Sequence, residues 1–385
     1  MALLVFTSVV APAVAVGEEG PDTEVSTPEC DFPLSVTDAT ETEVTIDEEP
    51  ETVVTLNPSA AQTMWEIGAE EKVIGVTKHA MNLEGAEERT NVSTAGETIE
   101  PEIVVELEPD LVLAPLSAVA TPEIVETLRE AGVTVYAYPL ADSIAEVKER
   151  TLLTGQMVGE CEGATETVEW MNEEIETVET AVEDEPKPDV LYVFFGFTTG
   201  EGTHIHEILE TAGGNNVAAD AGIEEYQQIS DETVLEQNPD WIVLNTNSPE
   251  LPDSEAYERT TAVEENRTIV VDINTLNRPA PRIVNVIAEL AEAFHPEAYA
   301  EAVEATLEPT PDAEQDETPE STPDAEQDET PEPTPDAEPT PEPTPDDADD
   351  QPGFGVAVAL VALSLSAVLA AKRRSDRTKR DPGRS

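Results

Sequence analysis

The sequence predicts an α/β protein made of two lobes of mostly parallel sheet, joined by a long α-helix, with a ligand cleft between them. Three observations lead there. The segment from Asp142 to Glu185 contains no proline and is rich in Glu, Thr, Val and Ala. Its only interruptions are Gly155, Gly159 and Gly163, so it reads as a short helix running into a long one. β-Branched runs alternate with helical periodicity on both sides of it, the pattern of parallel strands wrapped by helices. Finally, Glu102-Ile-Val-Val-Glu-Leu-Glu-Pro-Asp110 and Glu232-Thr-Val-Leu-Glu-Gln-Asn-Pro-Asp240 share E-x-V-x-E-x-x-P-D at matching places in the two halves. A stiff helix holds two such halves face to face, and clefts between domains are where ligands most often bind.

Taken in order, residues 1–17 read as a secretory signal. Ala2 to Val16 is an apolar run with small residues at Ala13 and Ala15, and the missing positive charges before it point to a truncated leader. Residues 18–51 form an acidic, Thr-rich arm with an edge strand. The first lobe, 52–141, opens on the strand Thr52 to Leu56, which stops at Asn57-Pro58-Ser59 and feeds a helix from Ala60 to Ile67. A strand from Lys72 to Val76, a helix from Pro101 to Leu107, a strand from Asp110 to Ala114, a helix from Pro122 to Ala131 and a strand from Val133 to Tyr138 complete it. The connecting helix takes 142–185. The second lobe, 186–307, repeats the plan with strands near 189–195, 240–245 and 268–273 and helices near 204–212, 230–237 and 281–294; Gly213-Gly214 reads as a helix C-cap.

Beyond Leu307 the composition changes. Thr310 to Glu320 recurs as Thr322 to Glu332, and the Pro/Thr/Asp/Glu bias of 308–351 leaves almost no apolar side chains to build a core, so this segment is expected to be a disordered stalk. At roughly 3.1 Å per residue it would reach on the order of 100 Å. Residues 352–374 begin Pro352-Gly353-Phe354, continue apolar to Ala371 as a C-terminal hydrophobic helix and end at Lys372-Arg373-Arg374; 375–385 is then a basic cytoplasmic tail. This arrangement resembles the C-terminal sorting signal of archaeal surface proteins. The resemblance implies a protein anchored to the outer face of the membrane, with the span either kept or replaced by lipid. On that side Asn91-Val-Ser93 and Asn266-Arg-Thr268 are glycosylation acceptors.

At 385 residues the chain is long enough for two domains, and 85 acidic against 18 basic residues give a formal net charge of −67. Nucleic acid and anionic membrane surfaces would repel it. Between Glu18 and Ala371 only 11 residues are Lys or Arg, a surface that resembles those of extreme halophiles, where salt screens dense carboxylates. The alternative is an acidic protein from an ordinary host. Cys30 and Cys161 are too few for a cysteine-built metal site; outside the cell they suit a disulfide pinning the arm to the connecting helix, with free buried thiols as the alternative.

No phosphate-cradling loop appears: Gly196, Gly200 and Gly202 follow a strand but have the wrong spacing for a dinucleotide fingerprint, and no Gly-x-Ser-x-Gly elbow is present. Binding, not catalysis, is the expectation. With two lobes, a connecting helix, secretion and anchoring together, the chain resembles the periplasmic-binding-protein family that feeds cobalamin, haem or iron–siderophore complexes to ABC importers. The pieces that carry it are Thr55-Leu-Asn-Pro-Ser59, Glu108-Pro-Asp-Leu-Val-Leu113, Gly213-Gly-Asn-Asn216 and Asn277-Arg-Pro-Ala-Pro-Arg-Ile283, in that order and spacing.

The resemblance implies two Rossmann-like lobes, a monomer, and a permease with its ATPase as partners. It implies a metal-containing ligand, cobalamin or a ferric chelate, as cargo. By position the ligand contacts would be Asn57, Pro58, Ser59, His79, Met81, Phe195, Phe197, Tyr226, Leu276 and Arg278, and the permease contacts Glu102 and Glu232, each in the first turn of a helix. Aromatic faces suit a broad macrocycle, and an arginine suits its amide or carboxylate rim. The chain lacks the tryptophan of cobalamin-binding relatives near Gly96, and Trp65, Trp170 and Trp241 read as core. His79, His204 and His206 leave open a second reading, a zinc- or manganese-binding lipoprotein. A structural surface-layer protein would fit the stalk but not the duplicated lobes.

Overall fold

A computed structural model describes residues 30–94, 98–139 and 141–307. The expected signal, the arm before Cys30, Gly96, the stalk, the sorting segment and the tail lie outside the described residues.

The arm holds more than one strand. Leu34–Thr37 (β1) and Glu43–Ile46 (β2) pair as a separate antiparallel hairpin. The hairpin docks through Asp38, whose buried carboxylate accepts from Thr40, Thr42, the Ala137 amide and the Arg129 guanidinium.

The first lobe alternates β3 (Val53–Thr55), α1 (Pro58–Glu66), β4 (Val73–Val76), β5 (Thr90–Asn91), α2 (Pro101–Glu106), β6 (Leu111–Pro115), α3 (Pro122–Glu130) and β7 (Val135–Tyr138). Its sheet has the order β5-β4-β3-β6-β7, every pair parallel. Val53, Val54, Leu111, Val112 and Leu113 are all fully buried, the near-continuous apolar run of a sheet covered on both faces. Proline stands at the first turn of all three helices, where its missing N–H costs nothing.

The connecting segment is α4 (Ile144–Val158) followed by α5 (Cys161–Val182). Of the three glycines only Gly159 breaks the helix, at φ 80°. Gly155 and Gly163 remain helical, because their missing side chains permit close contact. A Cβ on Gly155 would lie 2.4 Å from the Ala164 methyl, and one on Gly163 would lie 2.1 Å from the Ile67 carbonyl oxygen. Cys161, at the start of α5, is disulfide-bonded to Cys30. Ile144, Val147, Met171, Ile175 and Val178 pack into the second lobe's core, while Met157, Val158 and Ala164 pack into the first's. The segment therefore belongs to both cores at once.

The second lobe contains β8 (Asp189–Tyr192), β9 (Phe197–Thr199), α6 (His204–Thr211), β10 (Asn215–Asn216), α7 (Val217–Asp220), β11 (Tyr226–Gln228) and α8 (Asp231–Gln237). It continues with β12 (Trp241–Asn245), α9 (Glu255–Glu258), α10 (Thr261–Glu264), β13 (Thr268–Val271), α11 (Ile273–Leu276), α12 (Ile283–Phe294) and α13 (Pro296–Leu307). Strands β10-β8-β12-β13 form a parallel sheet, and β11-β9 a separate antiparallel ribbon. β8 stops earlier than the sequence suggests because Phe195 and Gly196 turn the chain back at positive φ, 48° and 79°. Trp65, Trp170 and Trp241 are not core residues; each is half-buried against the edge of a core.

The repeated nine-residue pattern is a structural repeat. Val104 and Val234 are both fully buried, and Glu108 and Asn238 both take positive φ at 49° and 42°. Asp110 Oδ2 accepts from the Thr52 amide at 2.9 Å, and Asp240 Oδ2 accepts from the Asp189 amide at 3.1 Å. In each lobe the last residue of the pattern thus secures the entry of the neighbouring strand.

Candidate functional site

In a parallel sheet every strand points the same way, so the loops leaving the carboxyl ends gather on one edge. Here the loops after β3, β4, β6 and β7 meet those after β12 and β13 across the gap between the lobes, and two adjoining cavities lie among them. One, of about 290 Å³, is lined by Asn57, Pro58, Leu116, Arg150, His204 and Tyr226 among others. The second, of about 480 Å³, is lined by residues that include Lys78, His79, Asn82, Asn247 and Asn274. Pro58, Asn277 and Arg278 line both.

Arg278 is the link. Its guanidinium donates to the His79 carbonyl at 2.5 Å and to Asn82 Oδ1 at 3.0 Å, both in the first lobe, and to Asn274 Oδ1 in its own. Burial pushes it down to about 10; Asp272 opposes that shift, and Arg282 reinforces it. Further from the cavities the lobes are tied again. Arg282 donates to Glu66 at 2.6 Å, and Gln62 Nε2 donates to the Asn274 carbonyl at 3.2 Å.

Aromatic rings rim the second-lobe side. Phe195 is 70% exposed, Tyr226 47% and Phe197 37%, a large area of unprotected ring for one short turn and ribbon. Beneath them Phe194 stacks on Tyr192 at 5.4 Å and meets the edge of Tyr226 at 6.2 Å, so the rim is braced from below. Exposed rings on a braced support suit a flat apolar partner.

The predicted contacts divide. Asn57, Pro58, Ser59, His79, Tyr226 and Arg278 line the cavities, although Asn57 Oδ1 already caps α1 by accepting from the Ser59 amide and hydroxyl at 2.9 Å. Phe195 and Phe197 are exposed beside Tyr226 but line neither cavity. Leu276 and Met81 are corrections. Leu276 is fully buried in the second-lobe core, and only its carbonyl reaches outward, accepting from His204 Nε2 at 3.1 Å. Met81 packs against the first-lobe core.

His79, His204 and His206 are not brought together. His79 and His204 line different cavities, and His206 Nδ1 accepts from Asn216 at 3.2 Å. Among the described residues no group of three or more His, Cys, Asp or Glu is placed to hold a metal ion. Asn91 and Asn266, the glycosylation candidates, are exposed, as are Glu102 and Glu232.

Arg150 escaped the sequence reading. It is buried, donates to the Pro139 carbonyl at 2.6 Å and lies 5.4 Å from the centre of the Tyr138 ring. A signal existed: Ile144, Val147, Arg150, Thr151 and Thr154 follow helical spacing, so a rare basic residue stood on the buried face of α4.

Two lobes of parallel sheet, a helical connection and a loop-built cleft define a two-lobed solute-binding protein. The sequence profile of the periplasmic binding protein family matches residues 53–275, and the chain belongs to that family. A PGF-CTERM motif, a signal of cell-surface anchoring in archaea, matches residues 351–374. The chain is 39% identical over 300 residues to a cobalamin-binding protein of Halobacterium salinarum, covering 74% of this chain and 80% of the relative. It is 30% identical over 287 residues to an uncharacterised ABC transporter substrate-binding lipoprotein of Bacillus subtilis, covering 70% and 88%.

Among solved structures, the haem-binding protein HmuT superposes with a TM-score of 0.60 at 21% identity, covering 74% of this chain and 96% of that one. The periplasmic haem-binding protein RhuT from Roseiflexus sp. RS-1 gives 0.58 at 24%, covering 64% and 99%. These structural likenesses show the fold.

Proposed function

We propose that this protein captures a corrinoid at the outer face of the cell membrane and presents it to an ABC permease. The observation that carries the reading is the 39% identity, over 300 residues, with the Halobacterium salinarum protein named as cobalamin-binding. The geometry supports it. A cleft rimmed by Phe195, Phe197 and Tyr226 offers ring faces to a flat macrocycle, while Arg278 and the neighbouring asparagines offer polar partners to its amide-bearing edge. The permease contacts are Glu102 and Glu232, one on each lobe at equivalent positions of the structural repeat.

Intrinsic fluorescence titration at high KCl with cyanocobalamin, haem, a ferric siderophore and zinc tests the cargo. Saturable quenching by cyanocobalamin at the lowest concentration is the expected outcome. Binding of zinc alone, or tighter binding of haem or the siderophore, would displace the corrinoid reading.

A further inference from the structure

The outer edge of the second-lobe sheet is uncovered. Sheet edges invite pairing with another chain, and proteins shorten, cover or charge them. In the two main sheets β5 and β10 are only two residues long, and the Ala137 carbonyl of β7 accepts from the Ala39 amide of the hairpin turn at 2.9 Å. β13 has four residues, Thr268-Ile-Val-Val271, and among the described residues it pairs with β12 alone. It holds no charge and no proline, and Val270 is 41% exposed. Repulsion between carboxylates elsewhere on the surface does not guard this edge in brine, because at 1 M salt it reaches only about 3 Å.

The sequon Asn266-Arg267-Thr268 stands at the start of that strand. Asn266 occupies the turn between α10 and β13 at φ 59°, a left-handed conformation that asparagine tolerates. Backbone bonds fix the turn: the Asn266 amide donates to the Val263 carbonyl at 3.3 Å, and the Arg267 amide to the Ala262 carbonyl at 2.7 Å. The side chains of Asn266 and Thr268 are exposed, and among the described residues no hydrogen bond engages either. Acceptor amide and sequon hydroxyl are thus open to one enzyme at once. Asn91-Val92-Ser93 is built differently. Asn91 Oδ1 accepts from the Ser93 amide at 3.0 Å and from its hydroxyl at 2.8 Å. Val92 and Ser93 are buried, and Ser93 Oγ accepts from the Lys78 amide at 3.0 Å. Asn91 also ends β5 at the carboxyl edge of its sheet, where the cleft is built, whereas Asn266 precedes β13 and lies at the opposite edge.

We propose that Asn266, and not Asn91, carries an N-linked glycan, added to the folded lobe, that covers the open edge at β13. The cell-surface anchoring motif at 351–374 puts the lobes on the side of the membrane where sequons are modified. The donor is a lipid-linked oligosaccharide phosphate from the membrane. Its sugar C1–O bond breaks, and the oxygen leaves with the electron pair as lipid phosphate. A C1–N bond forms to Asn266 Nδ2, and one Nδ2 proton passes to a base, so nothing is oxidised or reduced. A bulky, hydrated glycan at the head of β13 keeps a second strand away sterically, an effect that salt does not screen. Neither the glycan nor its role depends on the cargo.

The test uses the full chain expressed in a haloarchaeal host whose own surface proteins carry N-glycans. Glycopeptide mass spectrometry is expected to find Asn266 modified and Asn91 bare, with Thr268→Ser keeping the glycan and Thr268→Val losing it. A bare Asn266, or a glycan that persists in Thr268→Val, overturns the site; a glycan on Asn91 as well overturns the selection between the two by the fold. Asn266→Gly removes the acceptor and leaves the left-handed turn unstrained. At constant high KCl, and at one temperature below both melting transitions, this variant is expected to aggregate at least about threefold faster than the wild type. Adding Val270→Lys, whose ammonium would have to be desolvated in any new strand pairing, is expected to bring the rate back to within about twofold of the wild type. Equal aggregation of Asn266→Gly and the wild type, or no recovery with Val270→Lys, overturns the shielding of the edge.

Discussion

His204 begins α6 beside the smaller cavity and is buried, its Nε2–H bonded to the Leu276 carbonyl. Burial pushes its pKa down to about 4 from 6.5, the Leu276 bond opposes the shift, and Arg150 adds to it. Between those values the unfolded chain binds more protons than the folded one. The stability contributed by neutral His204 is therefore present above about pH 6.5 and lost as the pH falls toward 4, with a size of about 3 kcal/mol. Denaturation midpoints measured at about pH 7 and about pH 4.5 in constant KCl should show His204→Gln losing less stability on acidification than the wild type. Equal losses would mean that the imidazole is not buried as described.

Asp38 behaves in the opposite sense for a residue of the same depth. Burial alone would raise its pKa, but the bonds from Thr40, the Ala137 amide and Arg129 outweigh burial and lower it. Asp38→Asn removes the charge and leaves the Arg129 guanidinium with only the neutral oxygens of Thr40, Thr42 and Val135, so a loss of about 3 kcal/mol is expected in a denaturant titration. An unchanged midpoint would show that the hairpin does not depend on this pair.

Among the elements, the α4–α5 junction carries the sharpest expectation. In an exposed helix Gly→Ala stabilises by about 1 kcal/mol, because alanine has less backbone freedom to lose. Gly163→Ala should do the reverse and cost about 2 kcal/mol, since the new methyl would sit 2.1 Å from the Ile67 carbonyl oxygen and must push α1 away from α5. A thermal melt decides the sign, and stabilisation would refute the packing. These glycines also show where pattern reading reached its limit. Composition marked Gly155, Gly159 and Gly163 alike as breaks, but only Gly159 takes the left-handed conformation that ends a helix. Interhelical distance, not local preference, explains the other two.

At the scale of the whole molecule, the two lobes present Glu102 and Glu232 at equivalent positions, each exposed in the first turn of a short helix. If these are the proposed permease contacts, the Glu102→Ala, Glu232→Ala double variant should bind cargo within about twofold of the wild type, because surface substitutions away from a site change little. Uptake by cells relying on it should fall to background. Weakened cargo binding with transport intact would place both residues in the wrong role.

What the sequence determined by itself was everything written in local pattern: alternating strands and helices, proline at helix starts, the duplicated Glu-to-Asp motif and the acidic composition. Such features depend on neighbours a few residues apart, so one chain read in order suffices. Tertiary structure alone decided which side chains meet across the cleft. Arg278 bonds a carbonyl 199 residues away, and Arg282 pairs with a carboxylate 216 residues away. Leu276, two residues from Arg278, turns into the core instead, and Arg150 reaches the cavity from a helix read only as a connection. A loop's position in the chain says that it borders the cleft; which of its side chains faces inward depends on the packing of elements hundreds of residues apart.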